Sequence, residues 1–121
     1  MILVIGGYAS GKRTYVKETY GFTDNDLADG VLDNRPAVYN AQDLAAGDHT
    51  GTEALLSELL KKEVVICNEV GSGVIPLSKQ DRDAREAAGR LCVLLAKEAT
   101  RVIRIVCGLP AVLKEQAVLK E

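Results

Sequence analysis

Apolar positions along the chain fall into two kinds of run, continuous blocks and stripes at helical spacing, and the two kinds alternate. Ile2-Leu3-Val4-Ile5 is a continuous block ended by two glycines, the mark of a strand buried on both faces. Lys12 to Tyr20 reads as a helix closed by Gly21. Residues 23 to 36 are acidic and scattered with turn formers, which predicts a loop with at most one helical turn. Ala37-Val38-Tyr39-Asn40 is a candidate short strand. Leu55, Leu56, Leu59 and Leu60 recur at helical spacing, with Thr50 or Thr52 available as N-cap. Val64-Val65-Ile66-Cys67 is a second buried strand, and a glycine-punctuated loop follows it. From about Ser78 to Ala99 a long helix is predicted, its Ala84, Ala87, Ala88, Leu91, Leu95 and Ala99 forming one stripe. Arg101 to Cys107 is the last predicted strand, ended by Gly108-Leu109-Pro110. Buried strands alternating with helices predict an α/β fold. The expected form is a three-layer sandwich with a mostly parallel sheet.

Length and composition narrow this only slightly. The 121 residues suit a single domain, residues 1–121, without internal repeat, low-complexity tract or linker. Acidic residues outnumber basic ones by 17 to 15, and no basic stripe or basic amphipathic helix stands out. A small-molecule partner is therefore expected rather than nucleic acid or a membrane. The apolar run at the N-terminus is too short for a sorting signal, so a cytoplasmic location is expected. Cys67, Cys92 and Cys107 sit in apolar surroundings without metal-like spacing, which reads as free buried thiols.

Chemistry enters between the first strand and the first helix. Gly6-Gly7-Tyr8-Ala9-Ser10-Gly11-Lys12 has the Gly-x4-Gly-Lys spacing of a phosphate-binding loop. Its glycines let the backbone aim N–H groups at phosphate oxygens, the helix start adds positive partial charge, and Lys12 reaches the β- and γ-phosphates. The bland alternative is a glycine-rich strand-to-helix turn. The next position departs from the motif: Arg13 stands where a Ser or Thr hydroxyl would ligate Mg²⁺. Thr14 follows, about 100° further round the helix. Arg13 is read either as a phosphate contact or as a solvated helix residue. Glu69, at the carboxyl end of a buried strand, lies on the edge where such sheets bind ligands. It is a candidate for Mg²⁺ or substrate, or a cap for loop N–H groups.

These residues also carry a family resemblance. Gly6, Gly7, Ser10, Gly11 and Lys12 match a Gly-Gly-x-x-Ser-Gly-Lys loop. Asn68, Glu69, Val70, Gly71, Gly73 and Pro76 match an Asn-Glu-Val-Gly-x-Gly-x-x-Pro segment. Arg82, Arg85, Gly89 and Arg90, and the later Gly108, Leu109, Pro110, Leu113 and Lys114, extend the likeness. The sequence thereby resembles the adenosylcobinamide kinase/adenosylcobinamide-phosphate guanylyltransferase family of cobalamin biosynthesis, over residues 1 to 20 and 64 to 114. The resemblance implies a P-loop fold, GTP or ATP with Mg²⁺, a cobinamide-like small molecule and a homo-oligomer. It also implies catalytic roles for Lys12 and Glu69. Nucleotide contacts are implied from Gly6, Gly7, Tyr8, Ala9, Ser10, Gly11, Lys12, Arg13, Thr14, Asn68, Gly71 and Gly73, and Glu69 and Asp43 are the metal candidates.

The chain departs from the family's pattern in its middle. The family is longer there, and its guanylyl-carrying histidine precedes an Arg-Pro pair. Arg35-Pro36 is such a pair, but residues 21 to 36 hold no histidine, and His49 lies beyond it. Cys92 and Val93 replace two polar residues of the family's helix, and Leu77-Ser78 replaces Glu-Asn. Phosphoryl transfer is thus implied and guanylyl transfer is not. Three readings stand: a kinase acting on a hydroxyl, a nucleotide-binding or regulatory module without catalysis, and an assembly partner whose loop holds only an anion.

Overall fold

The computed structural model describes residues 1–47, 52–69 and 78–116. Strand β1 (Ile2–Gly6) leads into helix α1 (Lys12–Tyr20), followed by a single 3₁₀ turn (Asp24–Asp26). Strands β2 (Leu27–Asp29) and β3 (Ala37–Tyr39), helices α2 (Gln42–Gly47) and α3 (Thr52–Leu60) and strand β4 (Val64–Asn68) come next. Helix α4 (Lys79–Glu98) then leads to the paired strands β5 (Arg101–Val106) and β6 (Leu109–Glu115).

The strands make one six-stranded sheet in the order β2-β3-β4-β1-β5-β6. All neighbours are parallel except β5 and β6. Side-chain alternation sorts the apolar blocks onto two faces. Leu3, Val65 and Val102 point to one core with Leu59 of α3 and Leu91 and Leu95 of α4. Val4, Ile66 and Ile103 point to the other, with Val16 of α1. The layers are therefore α1, sheet, and α2 to α4, as the alternating blocks predict. Leu91 and Leu95 are fully buried, each contributing about 1.5–3 kcal/mol of transfer free energy. The long helix also follows its stripe closely: Ser78 caps it by accepting from the Asp81 N–H at 3.0 Å, and Ala99 is its C-cap.

Three local features depart from the sequence reading or lie outside it. The stretch from 23 to 36 is not all loop, because Leu27–Asp29 pairs with β3. Only two of those three residues are buried, so the apolar signal is too brief to stand out from its acidic surroundings. Residues 42–47 form a helix with no distinctive stripe in the sequence. Gly108-Leu109-Pro110 does not end the sheet: Cys107 and Gly108, both at positive φ, turn the chain into β6. Pro110 is tolerated because β6 is an edge strand. That turn also exposes Cys107, while Cys67 is buried and Cys92 half-buried. No helix among the described residues is long and apolar enough to cross a membrane.

Candidate functional site

The carboxyl ends of β1, β2, β3 and β4 share one edge of the sheet. The segment after β1 climbs away from that edge and turns at Gly7 to Ser10, where the Ser10 N–H donates to the Gly7 carbonyl at 3.2 Å. Ala9 and Gly11 both take left-handed backbone, with φ of 56° and 94°. At Gly11 a side chain would also meet the backbone of Gly108 at 3.3 Å. Gly6 is required for a different reason. A Cβ there would lie 2.5 Å from Ser10 Oγ and 2.7 Å from the Ile105 carbonyl oxygen. The loop is buttressed from the far hairpin, since the Gly108 N–H donates to the Ser10 carbonyl at 2.9 Å. Helix α1 then starts at Lys12 without a side-chain cap and without an acidic residue in its first turn. Its first-turn amides are groups that a helix leaves without intrahelical partners.

Lys12 is the only charged residue among the buried ones described, at 7% exposure. Its ammonium donates to the Gly7 carbonyl at 2.5 Å and to Ser10 Oγ at 3.4 Å. No carboxylate pairs with it among the described residues. Burial holds its pKa below the usual lysine value; the charge of Glu69 opposes that shift, and the charge of Arg13 adds to it. A desolvated cation without a direct ion-pair partner is costly unless a ligand supplies one.

A cavity of about 430 Å³ opens over this loop, a size within the range of small-molecule sites. Tyr8, Ala9, Ser10, Gly11, Lys12, Arg13 and Thr14 line it from one side, and Ile66 and Asn68 from β4. The opposite wall is Asp29, Tyr39 and Asn40, from the ends of β2 and β3. The Arg13 guanidinium lies 4.7 Å from the centroid of the Tyr39 ring, a cation–π contact inside the cavity. Asn40 donates through Nδ2 to Asp29 Oδ1 at 2.8 Å. Asn68 is fixed by Gln42, whose Oε1 accepts the Asn68 N–H at 3.0 Å.

The two metal candidates stand apart from this cavity. Glu69 receives two bonds from Arg104, Nε to Oε1 at 2.6 Å and a terminal nitrogen to Oε2 at 3.1 Å. Asp43 sits in the first turn of α2 and does not line the cavity. As placed, Glu69 does not fit the task of holding Mg²⁺, whose shell needs unengaged oxygens, and Asp43 does not reach the cavity wall. Gly71, Gly73 and His49 lie outside the described residues. Beneath the site, contact with the Cys92 thiol together with burial pushes Cys67 well above the usual thiol range, so Cys67 is inert packing.

A family model described as cobinamide kinase / cobinamide phosphate guanyltransferase matches residues 25–113. The chain belongs to this family. Cobinamide kinase / cobinamide phosphate guanyltransferase proteins are nucleotide-binding kinases and transferases of cobalamin biosynthesis, and membership brings nucleotide binding to this chain at that level. No curated protein matched the chain. The family match begins after helix α1, so it rests on the middle and the carboxyl half, and the geometry of residues 6–14 is a separate observation.

Sequence reasoning missed Asp29, Tyr39, Asn40 and Arg104. Asp29 is hidden because β2 is too short to show a period, whereas Tyr39 and Asn40 lie in the predicted short strand but in no motif; the sheet edge alone gives all three a place beside the loop. Arg104 carried a faint signal: it is the one charged position inside the apolar run from Val102 to Val106.

Proposed function

We propose that this family member binds the phosphates of GTP or ATP on the loop from Gly6 to Thr14 and passes the γ-phosphoryl group to a hydroxyl of a cobinamide-like molecule. The observation that carries the reading is the buried Lys12 ammonium, unpaired with any described carboxylate, in a nucleotide-sized cavity at the carboxyl edge of the sheet. A phosphate there would take up the Lys12 charge and the uncapped amides of α1 together. Arg13 lies one step away on the Tyr39 ring and adds a second cation on the cavity wall. Asn68, with Gly71 and Gly73, is proposed to contact the nucleotide from the β4 side. Glu69 then acts through its ion pair with Arg104, shaping the rim and not ligating metal. Any Mg²⁺ arrives as part of the nucleotide substrate, and no step here is routed through it. Guanylyl transfer is not part of the proposal, because no histidine lies between residues 21 and 36.

A second reading, nucleotide binding without transfer in a regulatory or assembly module, is favoured by the engagement of both Glu69 oxygens. Calorimetric titration of wild type and Lys12→Ala with GTP and ATP, with and without Mg²⁺, separates the two. Mg²⁺-dependent binding that is lost in the variant supports transfer, whereas metal-independent binding supports the module. Wild type that binds neither nucleotide refutes both.

A further inference from the structure

The cavity is lined by two cations and, among the described residues, one carboxylate. Lys12 and Arg13 have phosphate as their counterpart, but Asp29 has none in a polyphosphate, whose charge it would repel. A carboxylate on the wall of a phosphate cavity calls for a ligand group that donates to it. Asp29 is also held in position. It ends β2 at the carboxyl edge, and Asn40 fixes its Oδ1 at 2.8 Å. Asn40 takes left-handed backbone with φ of 54°, and Gln42 Nε2 reaches its Oδ1 at 3.4 Å. The same Gln42 accepts the Asn68 N–H, so a chain of hydrogen bonds ties Asp29 across the sheet to the end of β4. Among the described residues, Asp29 Oδ2 has no partner.

We propose that Asp29 is a catalytic residue that binds the acceptor hydroxyl and takes up its proton, an inference that rests on the phosphoryl-transfer reading above. The acceptor oxygen bonds to the γ-phosphorus of the nucleoside triphosphate. The bond from that phosphorus to the bridging oxygen of the β-phosphate breaks, and the nucleoside diphosphate leaves. The hydroxyl proton passes to Asp29 Oδ2. The acceptor therefore enters on the β2–β3 side of the cavity, facing the loop, and carries an alcohol.

The test compares wild type, Asp29→Asn and Lys12→Ala in three assays. They are calorimetric titration with GTP, label transfer from [γ-³²P]GTP to cobinamide, and cobinamide binding to protein holding a non-hydrolysable GTP analogue. In Asp29→Asn the inference expects GTP affinity within about twofold of wild type and transfer slowed by at least about 100-fold, the lower end for a lost general base. If wild type binds cobinamide without transfer, weakening of that binding by about tenfold in Asp29→Asn supports the hydroxyl contact. Unchanged transfer and unchanged cobinamide binding in Asp29→Asn overturn the inference. So does wild type that binds GTP but neither phosphorylates nor binds cobinamide, an outcome that leaves the phosphate reading intact. A loss of affinity for GTP but not for 2′,3′-dideoxyGTP assigns Asp29 to the ribose, and a loss seen only with Mg²⁺ assigns it to the metal; either overturns the acceptor role. Lys12→Ala that binds GTP as well as wild type removes the underlying reading, and the inference with it.

Discussion

Two parts of the same sheet edge treat charge in opposite ways. Above β5, Glu69 and Arg104 close on each other through two hydrogen bonds and leave little for a ligand. Above β1 to β3, Lys12 is buried without a carboxylate, Arg13 rests on a neutral ring, and Asp29 is held only by the Asn40 amide. Burying an unpaired cation lowers stability, whereas a half-exposed ion pair is nearly neutral to it. Under the proposed function this difference favours the β1–β3 side, where Lys12 is buried without an ion-pair partner among the described residues.

The largest expected effect comes from removing the buried cation. Lys12→Met should weaken GTP binding by at least about 100-fold, or about 2.7 kcal/mol, in calorimetric titration. The ligand-free protein should melt no lower than wild type, because the apolar side chain no longer desolvates a charge. A marked fall in melting temperature would mean that Lys12 serves the fold and not a ligand. The Lys12 pKa is depressed mainly by burial, so its proton is lost at lower pH than from an ordinary lysine. GTP affinity should accordingly hold through neutral pH and fall as the pH rises through that lowered pKa, below the range of a free lysine.

Gly6→Ala comes next. The added methyl would overlap the Ile105 carbonyl, which is backbone and has little room to yield. A loss of about 1–3 kcal/mol is expected in denaturant unfolding, with weaker GTP binding from the displaced loop. Stability equal to wild type would show that the loop relaxes freely. Arg13→Ala should be milder, about tenfold in GTP affinity with stability unchanged, since the guanidinium is exposed and its ring contact is worth about 0.5–1 kcal/mol. Unchanged affinity would return Arg13 to the role of a solvated helix residue.

The smallest effect is predicted for the paired side. Arg104→Met should leave stability close to wild type and change GTP affinity by less than about threefold. A large loss of binding would erase the contrast between the two sides.

Most of the layered fold was legible because it rests on continuous apolar blocks and one long stripe. Val64–Cys67 and the helix that Ser78 caps carry enough buried surface for pattern alone to place them. Leu27–Asp29 did not, because three residues cannot display a period and their pairing with Ala37–Tyr39 is a tertiary fact. The same limit governed the site. The loop was readable since its chemistry is contiguous, from Gly6 to Thr14. Asp29, Tyr39 and Asn40 reach it only through strand order, and the partner of Glu69 lies thirty-five positions along the chain.

The most direct test of the contrast is a ¹⁵N-resolved amide shift map recorded as GTP is titrated into the uniformly labelled protein. The largest shifts are expected on residues 6–14 and Asn68, with smaller ones across the cavity at Asp29, Tyr39 and Asn40, and with Arg104 and β6 little changed. Shifts concentrated on Arg104 and the β5–β6 turn, with Asp29 and Lys12 unmoved, would contradict the contrast.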